Sequence, residues 1–359
     1  MTEPPDKNIL THWYGTIFEY IRLLRITYEV AKKADPDCFV TAGGLGYPEF
    51  LDAILRYTDN PVDGSITEDY PLQGGAYFDC DAYHQYPQYG VTDLEAGEGY
   101  HENGSDMLAK KVVILKKNHE FILKKYGFDG NTYPKKIFVN TETGLNSEKG
   151  NVIGGDLVRR NWILKLALFC IEYDVKQTHM LILADDGKGS GDFSNLGKYV
   201  SIEEGFKHLK SSSKGRLLLE KIHLGKFEYD REKTEQLRQN LPTNATGIVL
   251  KRKFGKEDEE EYYSNYIYSL WVYSEKEESS QVIEYDINLD FNPLKLDWQG
   301  SQINIEKNSK IELSSTPIFL IENNGDYTDC IIDSDSEYDN SFFINFKSFV
   351  IFFVLSLLI

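Results

Sequence analysis

Apolar residues recur at helical spacing across residues 16–33 (TIFEYIRLLRITYEVAKK), placing Ile17, Tyr20, Ile21, Leu24, Tyr28 and Ala31 on one face. Asp35-Pro36 closes that helix, because proline cannot continue the backbone ladder. The next apolar run, residues 39–42, reads as a short buried strand. Gly43-Gly44-Leu45-Gly46 reads as a tight turn into a second helix, PEFLDAILRY, with Pro48 in its first turn. The alternation then repeats. Strands are expected over 78–87, 136–144 and 177–187, and helices over 105–126, 155–173 and 202–209.

Four strands alternating with helices imply parallel β/α units, and the continuous apolar character of the strands suits a sheet covered on both faces. The expected fold class is α/β: a partial TIM (β/α)8 barrel of about four units, strands five to eight, followed by a small antiparallel β-sandwich. An open doubly wound sheet is the rival, but it normally carries a glycine-rich phosphate turn. Neither GxGxxG nor a Walker A sequence is present.

After residue 245 the texture changes to short runs with partial period-two alternation, TGIVLKRK, IYSLWVYS, SQVIEYDI, PLKLDWQG and STPIFLIEN, parted by polar turns. The expected organisation is the barrel portion over 1–215, a charged connector over 216–245 and the sandwich over 246–323. A polar spacer covers 324–341, and a hydrophobic tail 342–359.

The 359 residues are 41% hydrophobic, enough to bury a substantial core. The 39 basic against 57 acidic side chains leave a formal charge of −18, which repels phosphate backbones and argues against nucleic acid as a partner. Cys38, Cys80, Cys170 and Cys330 show no CxxC spacing, so no zinc site is expected, and the first three sit in apolar runs as core residues. No metal or cofactor is implied.

Catalytic groups of a (β/α)8 barrel lie where strands end and loops begin. The strand ends here offer His84 and Tyr86, then Glu142, then Asp185 and Asp186. Glu142 follows the apolar lead Ile137-Phe138 within Val139-Asn140-Thr141-Glu142-Thr143-Gly144. A buried strand that delivers a carboxylate to a cleft rim can attack or stabilise the oxocarbenium carbon of a sugar. The plainer readings are a surface glutamate, a hydrogen-bonded rim pair for His84 and Tyr86, and turn chemistry for Asp185-Asp186 before Gly187. A calcium loop at those aspartates does not match EF-hand spacing.

Residues 39–187 resemble the later β/α units of clan A retaining glycoside hydrolases. The resemblance rests on Ala42-Gly43-Gly44-Leu45-Gly46, Tyr83-His84-Gln85-Tyr86-Pro87 and Thr141-Glu142-Thr143-Gly144, in that order. It implies that Glu142 is the nucleophile of the seventh strand, and Tyr86 its hydrogen-bonding partner from the sixth. His84, Asp185 and Asp186 would line the substrate site, an oligo- or polysaccharide being the substrate. The segment ending Ser315-Thr316-Pro317-Ile318-Phe319-Leu320 is similar to the accessory β-domain of such enzymes. Two departures stand out. The family's general acid ends strand four, whereas this chain starts at what corresponds to the fourth helix. The eighth strand, Leu181-Ile182-Leu183-Ala184-Asp185-Asp186, lacks the tryptophan often found there. The expectation is therefore a retaining glycosidase chain without its acid. A surface-anchored, non-catalytic carbohydrate-binding protein is the alternative.

The tail contains FVIFFVLSLLI, preceded by a polar spacer and by small residues at Ser334 and Ser336. That order resembles a GPI-attachment signal, with a membrane-spanning tail or a buried terminus as alternatives. Sequons at Asn103 and Asn244 fit glycosylation at the cell surface, although residues 1–7 show no apolar leader. An incomplete barrel would expose sheet edges, so self-association is a further expectation.

Overall fold

The computed structural model describes residues 13–146, 155–181, 185, 196, 210–222, 224, 227–254, 263–274, 277, 282–322 and 351–352. Helix α1 (Ile17–Ala34) begins at a capping box: the Thr16 hydroxyl accepts from Glu19 N at 3.2 Å, and Thr16 N donates to the Glu19 carboxylate at 2.7 Å. Its buried face is Tyr20, Ile21, Leu24 and Ala31, as the periodicity predicts. Thr16→Ala removes one half of this reciprocal cap. It is expected to cost about 1 kcal/mol, read as a lower urea midpoint at unchanged slope.

Strand β1 (Phe39–Leu45) leads into α2 (Pro48–Arg56), with Pro48 at the first helical position. Strand β2 (Cys80–His84) is followed by the hairpin β3 (Val91–Asp93) and β4 (Glu98–Tyr100), then α3 (Ser105–Lys125). Strand β5 (Ile137–Thr143), α4 (Asp156–Glu172) and β6 (Val175–Met180) complete the series. The four long strands pair in parallel in the order β1-β2-β5-β6, so the expected parallel α/β arrangement is present. The hairpin inside the 88–104 loop is tied to α3 by Asn118. Its amide donates to the Thr92 carbonyl at 2.7 Å and accepts from Leu94 N at 2.8 Å.

One expectation is corrected here. Gly43 and Gly44 do not form a turn but lie inside β1, which continues to Leu45. Gly43 takes φ +90°, open to glycine at little cost, and the pairing with β2 slips between Thr41 and Gly44. The glycines thus bend a strand instead of ending it.

The stretch expected to be a connector is partly regular. It carries the end of α5 (Ser211–Lys221), the two-residue strand β7 (Glu228–Tyr229) and α6 (Arg231–Asn240). Its charges are used. Arg238 of α6 grips Glu172 at the end of α4 through two bonds of 2.8 and 3.1 Å, and its Nε donates to the Gly247 carbonyl at 2.9 Å. The helix expected over 202–209, Asp186, Cys330, Ser334 and Ser336 lie outside the described residues.

Beyond residue 245 run β8 (Ala245–Phe254), β9 (Tyr263–Val272), β10 (Ile283–Asp286), β11 (Pro293–Leu296), β12 (Gln302–Asn304), β13 (Lys310–Leu313) and β14 (Ile318–Glu322). An antiparallel six-stranded sheet, β12-β11-β14-β9-β8-β7, faces the two-stranded sheet β10-β13 across Leu270, Leu320, Ile311 and Leu313. The other face of the large sheet packs on the helices: Leu250, Ile267, Trp271 and Phe319 share one apolar core with Leu108, Val112, Trp162 and Leu166 of α3 and α4. Cys38, Cys80 and Cys170 are buried and free. Of the tail, the backbone of Ile351–Phe352 (β15) pairs in parallel with the start of β1. Among the described residues no helix is long and apolar enough to cross a membrane.

Candidate active site

Side chains alternate across a strand, and β2 shows which face is which. Asp81 and Tyr83 point at the helix layer: Asp81 Oδ2 is 2.9 Å from His119 Nδ1 of α3, and the Tyr83 ring lies 5.8 Å from the His119 ring. Ala82 and His84 therefore occupy the opposite face. In β5, Phe138 faces the helices, under the Lys116 ammonium at 4.5 Å. Unbroken alternation would send Asn140 and Glu142 the same way.

The register does not stay unbroken. Tyr83 pairs with Asn140, but the next residue of β2, His84, pairs with Glu142. Thr141 is the extra residue of a bulge, and it turns Glu142 onto the face that carries His84. Bulges of this kind re-aim one side chain without moving the strand beneath it.

Three of the residues expected from the sequence meet at this point. The Tyr86 hydroxyl donates to Glu142 Oε1, and His84 Nδ1 stands 3.7 Å from Glu142 Oε2. The His84 and Glu142 side chains are 34% and 32% exposed, so a ligand can reach both. Tyr86 is buried, and burial, reinforced by the adjacent Glu142, lifts its hydroxyl far above the ordinary tyrosine range. It remains a donor across ordinary pH.

Backbone and hydroxyl contacts brace the pair. Gln85 N donates to the Glu142 carbonyl at 3.3 Å, and the Thr143 hydroxyl donates to the Gln85 carbonyl at 2.7 Å. Sequence reasoning passed over Thr143, and it misplaced Gly44. A Cβ built on Gly44 would lie 1.9 Å from His84 Nε2 and 2.5 Å from two ring carbons. The imidazole thus lies directly on the β1 backbone, in space only glycine leaves open. Gly44→Val is expected to push His84 away and slow any reaction at Glu142 about 100-fold with the fold retained, measured as a rate beside a circular dichroism spectrum.

Asp185, by contrast, is held by the Lys210 ammonium in a mostly covered ion pair. Close by is Arg159, whose guanidinium donates to the Leu196 carbonyl. Burial pulls its pKa down to about 10 against the opposing pull of Asp185 and Asp156. Asn103 and Asn244 are both exposed, on the loop before α3 and in the turn just before β8.

The parallel β/α layer with antiparallel sheets packed on its helices is an arrangement found among glycoside hydrolases. A family 39 glycoside hydrolase from the gut symbiont Bacteroides cellulosilyticus WH2 matches with a TM-score of 0.52 at 17% identity, over 89% of this chain and 57% of that one. A GH51 α-L-arabinofuranosidase from Thermotoga petrophila RKU-1 gives 0.48 at 12% identity, over 86% and 62%. A glucosidase from Croceicoccus marinus gives 0.45 at 13% identity, over 89% and 67%. The first comparison carries the likeness, which is one of fold, and the chain spans 57% of that enzyme's length. No family model matches the chain, and no curated protein matches it by sequence.

Proposed function

We propose that this chain carries the nucleophile of a retaining glycoside hydrolase, with Glu142 as the attacking carboxylate and an oligo- or polysaccharide as substrate. The observation that supports it most is the re-aimed Glu142. It is one-third exposed at a strand end, with one oxygen held by Tyr86 and the other facing His84. A carboxylate oriented by one donor and still partly exposed beside His84 suits attack on an anomeric carbon. Tyr86 can relax its bond as the carboxylate charge passes into the new ester.

A retaining mechanism also needs a carboxylic acid about 5 Å from the nucleophile to protonate the departing oxygen. Neither His84 nor Tyr86 is one. No described residue is assigned that role, and β1, β2, β5 and β6 would be the later strands of a (β/α)8 barrel.

A substrate that needs no acid makes a clean test available. A 2-fluoroglycoside bearing dinitrophenolate needs no proton on its leaving group, so the nucleophile can act without its partner. The full chain is expected to release a burst approaching one equivalent of dinitrophenolate per molecule, and Glu142→Gln none. Sugar binding without a burst would favour the non-catalytic carbohydrate-binding reading.

A further inference from the structure

The segment that presents Tyr86 has each of its carbonyls anchored. Thr143 Oγ1 donates to Gln85 O at 2.7 Å; Gln85 Nε2 and Tyr89 N each donate to Tyr86 O at 3.1 Å; and Lys111 Nζ donates to Pro87 O at 3.2 Å. The last anchor differs in kind. Lys111 stands in the second turn of α3, on the same buried stripe as Leu108, Val112 and Leu115, and is 1% exposed.

An ammonium taken out of water is costly unless it is paired. Lys111 faces a neutral carbonyl, and burial pulls its pKa below the ordinary lysine value against the pull of Glu102. Packing alone favours an apolar residue at this stripe position. What a cation adds is a charge-assisted bond to one chosen carbonyl. That carbonyl belongs to a proline, whose φ is locked by its ring, so holding it leaves the preceding Tyr86 little freedom.

The geometry points to Lys111 as a positioning residue: through the Pro87 carbonyl it keeps the Tyr86 hydroxyl on Glu142. It touches neither the substrate nor the reacting atoms. Its importance for catalysis rests on the reading of Glu142 as nucleophile.

The test uses the full chain labelled with carbon-13 at tyrosine Cζ, with the Tyr86 signal assigned by its loss in Tyr86→Phe. This signal is expected to step when Glu142→Gln is introduced into the wild type, because the hydroxyl loses its charged acceptor. Lys111→Met should abolish the step with circular dichroism and urea midpoint unchanged or improved, since a costly buried charge is gone. Lys111→Gln, which still offers an N–H, should restore it. A step that survives Lys111→Met overturns the proposal. So does a Lys111→Met chain that fails to fold, which would make the lysine a purely structural cation. The measurement needs no sugar. A wild-type step without a dinitrophenolate burst would fail the hydrolase reading alone, and a burst with an unaltered step in Lys111→Met would fail the positioning role alone.

Discussion

Lys165→Met is expected to lower stability by about 3–5 kcal/mol, the cost of breaking a buried ion pair by removing one partner. Lys165 of α4 is fully buried, with Nζ 2.6 Å from Asp106 Oδ2, 2.7 Å from Ser105 Oγ and 3.8 Å from Glu277 Oε1. Both carboxylates are buried too. Asp106 accepts from Trp271 Nε1 at 2.6 Å, and Glu277 accepts from Ser105 N at 3.2 Å and from the Ser105 hydroxyl. Asp106 and Glu277 thus both face the Lys165 ammonium, and burial pulls that lysine below its ordinary pKa against their pull.

Removing the ammonium takes from two carboxylates in a dry interior the cation that both of them face. The cluster joins α3 and α4 of the parallel layer to β9 of the antiparallel sheet and to Glu277. Its loss should therefore loosen the whole seam and not one helix. The Lys310–Glu284 pair, 3.1 Å apart but exposed on both sides, is the internal control. Breaking that pair is expected to leave the urea midpoint almost unchanged. Urea titrations of the two variants separate the cases: equal midpoints would show that the buried cluster does not hold the layers together.

The second large effect falls on the site. Glu142→Gln is expected to abolish the dinitrophenolate burst, a loss of at least about 10⁴-fold, because the amide cannot form the glycosyl ester. Tyr86→Phe should be far milder. It removes one hydrogen bond to a charged group, worth about 1.5–3 kcal/mol, and so slows the burst roughly ten- to a hundredfold. The difference between the two separates a group that makes the bond from one that orients it. Comparable losses in both would mean that Tyr86 does more than hold the carboxylate.

Much of the local structure was legible because it depends on short-range pattern. The buried face of α1, the proline start of α2 and the lead of β5 into Glu142 follow from periodicity and end signals within a few residues. The bulge at Thr141 was not legible. Alternation alone sends Glu142 toward the helices, and only pairing with β2, more than fifty residues away, turns it to His84. Gly44 was misread for the same reason, since a glycine pair in isolation signals a turn. The His84 ring that makes glycine necessary comes from another strand. Lys111 left a faint trace, as a lysine on an apolar stripe. The bond from Trp271 to Asp106 spans 165 positions, and nothing local in the sequence announces it. Strands β12 and β13 were missed as well, one fully exposed and the other only four residues long, with too little apolar pattern to register.

Peptide mapping of the trapped chain after reaction with the dinitrophenyl 2-fluoroglycoside tests the central claim most directly. The added sugar mass is predicted on the peptide spanning Ile137 to Gly144, as an ester at Glu142, and absent from Glu142→Gln. Sugar attached to another residue, or a wild-type chain that stays unlabelled while binding the glycoside, would contradict it.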